Sequence, residues 1–302
     1  MSRSRKYLAI IILFGSALWS TLAGAAELYS DDELELQVGG LGEVGVSVAE
    51  SEEETTPAPP ATAIRLARLS SSGTWKQHGG YKIQVEGRSG QLELLDLALR
   101  VTLTDWLEIN AGRFKLPVSK EYLIPAGEMR FSKRALVRDL APGRRLGLET
   151  VVDSEVGHVG LRAAAGLFQP GPDLRRNEGQ LFVARAQVEP VHGFEIHAAF
   201  AEHVFDDNTF VDDSVDPPVE HAVFAHDRQL DAAIGYHDEH LHVLGEGLIA
   251  LDDESGRVPW AAHASGAYRF DVDDVGLEPA LGYDVLEVEG ELVQRGAAAF
   301  NT

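Results

Sequence analysis

The sequence predicts an all-β chain that crosses a membrane as an antiparallel β-barrel. Three observations support this prediction. The chain begins with an export signal, polar and apolar residues alternate in long segments, and the connections between these segments alternate between short and long. Strands that cross a bilayer are about 9–11 residues long, with short turns on one side and longer loops on the other.

Residues 1–26 are predicted to be a signal peptide. Three basic residues precede an apolar stretch at 7–22, and the small residues at 23–25 suit a cleavage site. The remaining residues, 27–302, are predicted to form the barrel domain. The chain contains no Cys, so no disulfide holds this exported protein together.

The net charge argues against nucleic acid as a partner. The formal charge is −22, and removal of Arg3, Arg5 and Lys6 with the signal lowers it to −25. Such a chain repels a phosphate backbone. After the signal no segment approaches 18 continuous apolar residues, so membrane-spanning helices are not expected.

Alternation with a period of two predicts the strands. In the first example, Leu34, Leu36 and Val38 share one parity, whereas Glu35 and Gln37 take the other. Successive side chains of a strand point to opposite faces, so each such segment has one apolar and one polar face. Similar segments lie at 81–86, 95–103, 105–113, 157–168, 179–189, 194–200, 227–237, 240–251, 258–270 and 275–287.

The connections set the predicted orientation. If 33–49 is the first strand and runs outward, all the long connections fall outside the membrane. These connections are 50–60, 114–143, 169–178, 205–226 and 252–257. Within one of them, residues 205–220 are acidic, which leaves open a calcium site, although a mobile acidic loop is favoured.

Residues 113–145 reverse the charge of the chain. They contain nine basic and three acidic residues, a surplus of +6. A long loop that folds into the barrel with this charge would lower the cost of partly dehydrating an anion. The alternative is a basic surface loop that contacts lipopolysaccharide phosphates, and the inward arrangement is favoured.

The same segment resembles a known family. Residues 112–123, GRFKLPVSKEYL, resemble the G-x-F-K-x-P-F-S-x-E-x-L signature of the phosphate-selective porin O and P family, with Val118 in place of the second Phe. Residues 129–147, MRFSKRALVRDLAPGRRLG, are similar to the stretch that follows, which ends in A-P-G-R-x-x-G. The resemblance is dense over 106–149.

The resemblance implies a fold and a function. It implies a transmembrane antiparallel β-barrel of nominally 16 strands, a homotrimer embedded in outer-membrane lipid and lipopolysaccharide. It also implies passive diffusion of small anions, phosphate among them, with arginines along the route and lysines near the narrowest point. Lys115 and Lys120 lie within the matched motif.

Nine residues are predicted to line the pore or bind anions. Four of them are arginines that alternate with the apolar residues of their strands and so lie on the opposite face. This face is predicted to be the inner one, because an arginine that faces lipid at mid-bilayer costs about 2–4 kcal/mol. The predicted residues are Lys115, Lys120, Arg130, Lys133, Arg134, Arg100, Arg162, Arg185 and Arg269.

Other chemistry is less well supported by the sequence. Residues 237–242, HDEHLH, contain zinc-ligand types but suit a tight polar turn better. No catalytic motif, metal site or cofactor is predicted, and the chain is expected not to be an enzyme. The alternatives are an outer-membrane enzyme or binding protein on the same barrel, and a soluble periplasmic β-sandwich.

The strand count predicts that the C-terminal strands are missing. Counting from 33–49 gives thirteen complete strands, and a fourteenth begins near Glu291. Since the resemblance implies sixteen, about two strands would be absent. A genuine fourteen-stranded barrel that ends with residues 291–302 remains the alternative.

Overall fold

The computed structural model describes most of the chain. The described residues are 19–30, 34–47, 61–75, 78–88, 91–131, 133–171, 179–204, 209–212, 219–222, 228–252, 256–272, 275–288 and 290–301. Because residues 1–18 and 48–60 lie outside this set, so do most of the predicted signal peptide and the predicted loop 50–60.

The described residues form eighteen β-strands. The strands are β1 Trp19–Ser30, β2 Leu34–Ser47, β3 Ala61–Trp75, β4 Gly79–Arg88, β5 Gln91–Thr104, β6 Leu107–Lys115, β7 Arg144–Val156, β8 Val159–Phe168, β9 Leu181–Val191, β10 Phe194–His203, β11 Thr209–Asp212, β12 Val219–Ala222, β13 Arg228–His237, β14 Leu241–Leu251, β15 Trp260–Tyr268, β16 Phe270–Val272, β17 Val275–Val288 and β18 Glu291–Asn301. A short helix, α1 (Lys120–Leu123), and two 3₁₀ turns, Ala126–Glu128 and Leu136–Asp139, lie between β6 and β7. Among the described helices, none has the length and apolar character needed to span a bilayer.

Sixteen of these strands form one antiparallel sheet, which confirms the predicted fold class. The hydrogen-bonded order runs from β1 to β10 and continues through β13, β14, β15 and β17. Strand β17 also pairs with β16 and β18. Strands β11 and β12 form a separate hairpin within the predicted acidic loop, whose residues 205–208 and 213–218 lie outside the described set.

The strand boundaries explain how sixteen strands arise from fourteen predicted ones. Strand β1 overlaps the end of the predicted signal peptide and pairs with β2 from Trp19↔Gly45 to Ser30↔Glu35. The predicted strand 258–270 ends early, and the three-residue β16 follows it after Arg269. The signal peptide, the domain bounds and the missing C-terminal strands remain predictions.

The chain divides into two compact units. The first comprises Met1–Gly73 with Lys82–Leu95, and the second comprises Thr74–Tyr81 with Asp96–Thr302. In the first unit an ion pair links Arg68 to Glu86 across neighbouring strands. The second unit contains the predicted basic segment.

Strand β5 shows the two faces in the second unit. The side chains of Leu97, Leu99 and Leu103 are exposed, whereas Asp96 on the opposite parity is buried. The face that bears Asp96 is called the inner face below. The apolar exposure of the other face matches a surface that contacts lipid.

Gly112 of the family-like motif sits where a side chain would not fit. Its φ is +123°, and a Cβ there would lie 2.0 Å from the carbonyl oxygen of Leu97 on β5. Glycine tolerates this conformation because it has no Cβ. The motif therefore sets the backbone of β6 just before the chain leaves the sheet.

Candidate functional site

The basic connection between β6 and β7 packs against the inner face of the sheet. Strands β6 and β7 pair up to Lys115↔Arg144, so the connection leaves and rejoins the sheet at neighbouring positions. Residues 116–143, called the inner segment below, lie between these two points. The segment is the long predicted loop, and its position agrees with the inward alternative.

An apolar cluster holds the inner segment on the sheet. From the segment it contains Leu116, Val118, Ala135, Val137 and Leu140. From the sheet it contains Phe168, Leu181, Val183, Ala199, Ala201, Leu248 and Ala261. All of these side chains are buried, and burying an apolar surface contributes about 25 cal/mol per Å². The alternation of side chains along the strands predicts polar residues on the inner face. The sequence therefore does not predict this apolar patch, which only the structure shows.

Hydrogen bonds from the sheet fix the path of the inner segment. Gln229 donates to the carbonyl of Leu140 at 2.5 Å. The backbone N–H of Glu121 donates to the Glu246 carboxylate at 2.8 Å. Arg295 donates to the carbonyl of Arg134. Because these bonds satisfy backbone groups that are shielded from water, they favour one position of the segment.

Lys115 and Arg134 hold the helix α1 rather than pointing into open space. Ser119 caps the start of the helix by accepting the N–H of Tyr122 at 3.1 Å. The ammonium of Lys115 donates to the carbonyls of Tyr122 at 2.5 Å and Ile124 at 3.1 Å, where the helix leaves its acceptors unpaired. Arg134 donates to the carbonyl of Ile124 at 2.7 Å.

Arg134 and Glu121 also form a shielded ion pair, with Nη1 and Oε1 3.7 Å apart. Burial raises the pKa of the Glu121 carboxyl, although Arg134 opposes this shift. Burial likewise lowers the pKa of Arg134, and Glu121 opposes that shift. A guanidinium remains charged in proteins, so Arg134 serves as the counter-ion of the carboxylate.

Three further basic residues pair with acidic residues of the strands. Lys120 lies 2.8 Å from Glu195, and Arg130 lies 2.9 Å from Glu278. Arg144 lies 2.6 Å from Asp96. Acidic side chains of the strands thus compensate part of the positive charge of residues 113–145.

Lys133 and Arg138 differ from the other basic groups of the segment. Both side chains are exposed, and neither has an ion pair or a side-chain hydrogen bond within the described part of the chain. Lys133 lines a cavity of about 440 Å³ between the inner segment and strands β10, β13, β14, β15, β17 and β18. These two groups are the free positive charges of the inner segment.

The structure places the four predicted strand arginines differently from one another. Arg100 is half-exposed, 3.6 Å from Glu108, and Arg162 is half-exposed, 3.2 Å from Asp153. Arg185 is shielded and hydrogen-bonds Gln187. Arg269 lies between β15 and β16 rather than within a strand, 3.0 Å from Asp271. Whether these arginines line a pore remains a prediction.

Residues 237–242 form the polar turn that the sequence favoured. His237 ends β13, His242 lies in β14, and Asp238 accepts the N–H groups of His240 and Leu241 at 2.7 Å each. Tyr236 adds a hydroxyl donor to the same carboxylate at 2.9 Å. Among the described residues, no group of His, Asp or Glu is arranged to hold a metal ion.

The turn predicts a pH-dependent contribution to stability. The backbone hydrogen bonds from Leu241 and His240 lower the pKa of Asp238 to about 2, against about 3.9 in an unfolded chain. The stabilisation is therefore complete above about pH 4 and lost as the pH falls towards 2. We expect Asp238→Asn to remove this part of the acid dependence, measured as the urea midpoint between pH 2 and 5, whereas a wild-type slope in the variant would contradict the assignment.

The cavity also contains a polar arrangement that the sequence did not reveal. His263 and Ser265 lie on β15, Asp284 lies on β17, and all three line the cavity. Their two mutual contacts are 2.6 and 3.0 Å long. The sequence shows that His263 and Ser265 are two positions apart and would share one face of a strand. It does not show which carboxylate lies opposite His263, because that depends on the register between β15 and β17.

A family model agrees with the sequence motif, and several solved structures are similar to the chain. A family model described as phosphate-selective porin O and P matches residues 37–222. OmpF of Salmonella typhi, solved in complex with daunomycin, is 12% identical with a TM-score of 0.48, over 91% of this chain and 100% of that chain. OprB of Pseudomonas putida, solved at high pH, is 10% identical with a TM-score of 0.43, over 89% and 93%.

One further solved structure is similar in the same way. OmpT of Vibrio cholerae, folded in vitro and solved in a trimer form, is 10% identical with a TM-score of 0.38, over 94% of this chain and 99% of that chain. No curated protein matches the sequence.

Proposed function

The chain belongs to the phosphate-selective porin O and P family, and we propose that the channel it forms passes small anions, phosphate among them. The family makes the protein an outer-membrane porin and favours a channel over an enzyme. Selectivity for anions goes beyond family membership and rests on the charges of the inner segment.

The observation that carries the proposal is the free positive charge of Lys133 and Arg138. The neighbouring basic groups of the inner segment are engaged by carboxylates or carbonyls, so they contribute little to attracting a mobile ion. The two exposed groups have no such partner in the described residues. A cation lining a narrow passage lowers the cost of partly dehydrating an anion.

The acidity of the whole chain does not oppose this selectivity. Charges in exposed loops are screened within about 8 Å at physiological ionic strength. Several inner-face carboxylates are already compensated, as the pairs Arg144–Asp96 and Arg130–Glu278 illustrate. The local surplus near the inner segment therefore outweighs the net charge of the chain.

The proposal includes the surroundings of the channel. The exposed apolar face, with Leu97, Leu99 and Leu103 on β5, would contact outer-membrane lipid. Lipopolysaccharide would contact the outer ends of the strands, and the channel would assemble as a homotrimer, as the family resemblance implies. No cofactor takes part in passive diffusion.

Reversing the free charge tests anion selectivity. We expect Lys133→Glu combined with Arg138→Glu to shift the reversal potential towards cations, because both changes place a carboxylate where the free cation stood. The measurement is the reversal potential of the protein in planar bilayers under a potassium chloride gradient.

A control of the same kind separates local from remote charge. Arg257→Glu changes the charge by two units at an exposed residue between β14 and β15, so it should leave the reversal potential near the wild-type value. An unchanged reversal potential in the double variant would place the narrowest point elsewhere and reject the proposal.

A further inference from the structure

A histidine and a carboxylate form a close pair on the inner face. His263 on β15 and Asp284 on β17 are directly opposite in the register of the two strands. Nδ1 of His263 lies 2.6 Å from Oδ1 of Asp284, and both side chains are buried. Arg295 on β18 donates to the other oxygen of Asp284 from Nη2 at 2.6 Å and from Nε at 3.0 Å.

These contacts determine which nitrogen of His263 carries the proton. An ionised carboxylate only accepts hydrogen bonds, so Nδ1 of the imidazole must donate to Asp284. Nε2 of the neutral ring is then an acceptor. The hydroxyl of Ser265 lies 3.0 Å from Nε2 and donates to it. The serine proton is thus directed at a base whose orientation a carboxylate fixes.

Ser265 borders open space that forms part of a cavity. The residue directly opposite on β17 is Gly282, which contributes no side chain of its own. Phe131 of the inner segment lies above this glycine, since a Cβ on Gly282 would be 3.0 Å from the ring. The space belongs to the cavity of about 440 Å³, which suits a small organic molecule.

The lining of the cavity indicates the chemical class of such a molecule. Ile124, Met129 and Phe131 give one side an apolar surface. The free ammonium of Lys133 lies in the same lining and is available to a negatively charged oxygen. An ester with a short acyl chain matches both features, because its carbonyl oxygen becomes negative when a nucleophile adds.

We infer that Ser265, His263 and Asp284 form a nucleophilic site that hydrolyses small acyl esters entering the channel. This activity goes beyond anion conduction and does not depend on it. Ser265 Oγ adds to the ester carbonyl carbon while its proton passes to Nε2 of His263. The bond from that carbon to the alcohol oxygen breaks, and the alcohol leaves with the proton from His263.

The second half of the reaction restores the free serine. Water adds to the acyl carbon of acyl-Ser265, and His263 again accepts a proton at Nε2. The bond to Ser265 Oγ breaks, the serine regains its proton, and a carboxylic acid is released. Asp284 holds the imidazole in place and stabilises its charged form in both halves.

The test is covalent labelling of the folded protein. The wild-type protein in detergent micelles is treated with a fluorescent fluorophosphonate, and the labelled peptide is identified by mass spectrometry. We expect label on Ser265 and none in Ser265→Ala. His263→Gln should slow labelling about 100-fold or more, the usual contribution of a general base. Heat-modifiable migration on gels confirms that each variant is folded.

Ester turnover gives a second measurement. The wild-type protein should hydrolyse p-nitrophenyl acetate, and Lys133→Met should lower kcat about 100-fold, as the loss of an oxyanion donor does. Ser154→Ala is the matched control, because Ser154 is an exposed serine without a histidine hydrogen bond in the described residues. It should retain wild-type labelling and turnover.

The outcomes separate this site from the channel function. Ser265→Ala should keep the wild-type conductance and reversal potential while losing label and turnover. If folded wild-type protein carries no more label on Ser265 than on Ser154, the three residues only join strands β15 and β17 and the inference is overturned. That result would leave the proposed conduction of anions unaffected.

Discussion

Val137→Asp is expected to release the inner segment from the sheet and raise the single-channel conductance severalfold. Val137 is fully buried in the apolar cluster between the segment and the sheet. An unpaired carboxylate there costs on the order of several kcal/mol, and the segment can avoid this cost by moving into water. The widened passage is measured as the conductance of single channels in planar bilayers.

Val191→Asp is the control for this prediction. The same substitution is made at an exposed residue at the end of β9, beside the fully exposed turn residue His192, where the carboxylate remains in water. Its conductance should equal that of the wild type. A folded Val137→Asp protein with unchanged conductance would show that the inner segment does not limit the passage.

Asp96→Ala is expected to destabilise the barrel by about 3 kcal/mol, the cost of removing one member of a buried ion pair. Nε of Arg144 lies 2.6 Å from Oδ1 of Asp96, and their side chains are 12% and 4% exposed. The substitution deprives the shielded guanidinium of Arg144 of this carboxylate. The free energy of unfolding is measured by urea titration of the protein in lipid vesicles.

Asp153→Ala provides a comparison with the same chemistry at an exposed site. Asp153 and Arg162 are also an aspartate–arginine pair on neighbouring strands, 3.2 Å apart, but their side chains are 51% and 47% exposed. Solvent screens such a pair, so its loss should cost less than about 1 kcal/mol. Equal effects of the two substitutions would mean that water reaches Arg144 freely.

Several features can be predicted from the sequence because they are local. The alternation of side chains depends only on residues two positions apart, and it predicts the long strands that the structure contains, such as β5 and β14. The pattern does not separate the short strand β16 from its neighbour, since three residues are too few to alternate. The residues of β1 resemble the end of a signal peptide because many of them are small and apolar.

The position of the inner segment is only partly predictable. Its length, its positive charge and the motif beginning at Gly112 favour an inward fold. The apolar cluster that holds it is not foreseeable, because strands such as β14 contain consecutive apolar residues from Leu248 to Leu251. In such a run neither face is polar, so the pattern cannot show which side chains receive a loop.

The residue pattern alone predicts antiparallel strands, a positive segment and a family motif. Which basic groups are free depends on the packing of the inner segment against the sheet. Lys115 and Lys120, which the sequence predicts to line the pore or bind anions, contact backbone carbonyls and Glu195, respectively, and their role towards anions stays a prediction. The contact of Glu121 with Glu246 joins residues 125 positions apart. Such contacts depend on strand register and on how the loop packs against the sheet. Both depend on the free energy of the whole fold, so a local sequence pattern does not predict them.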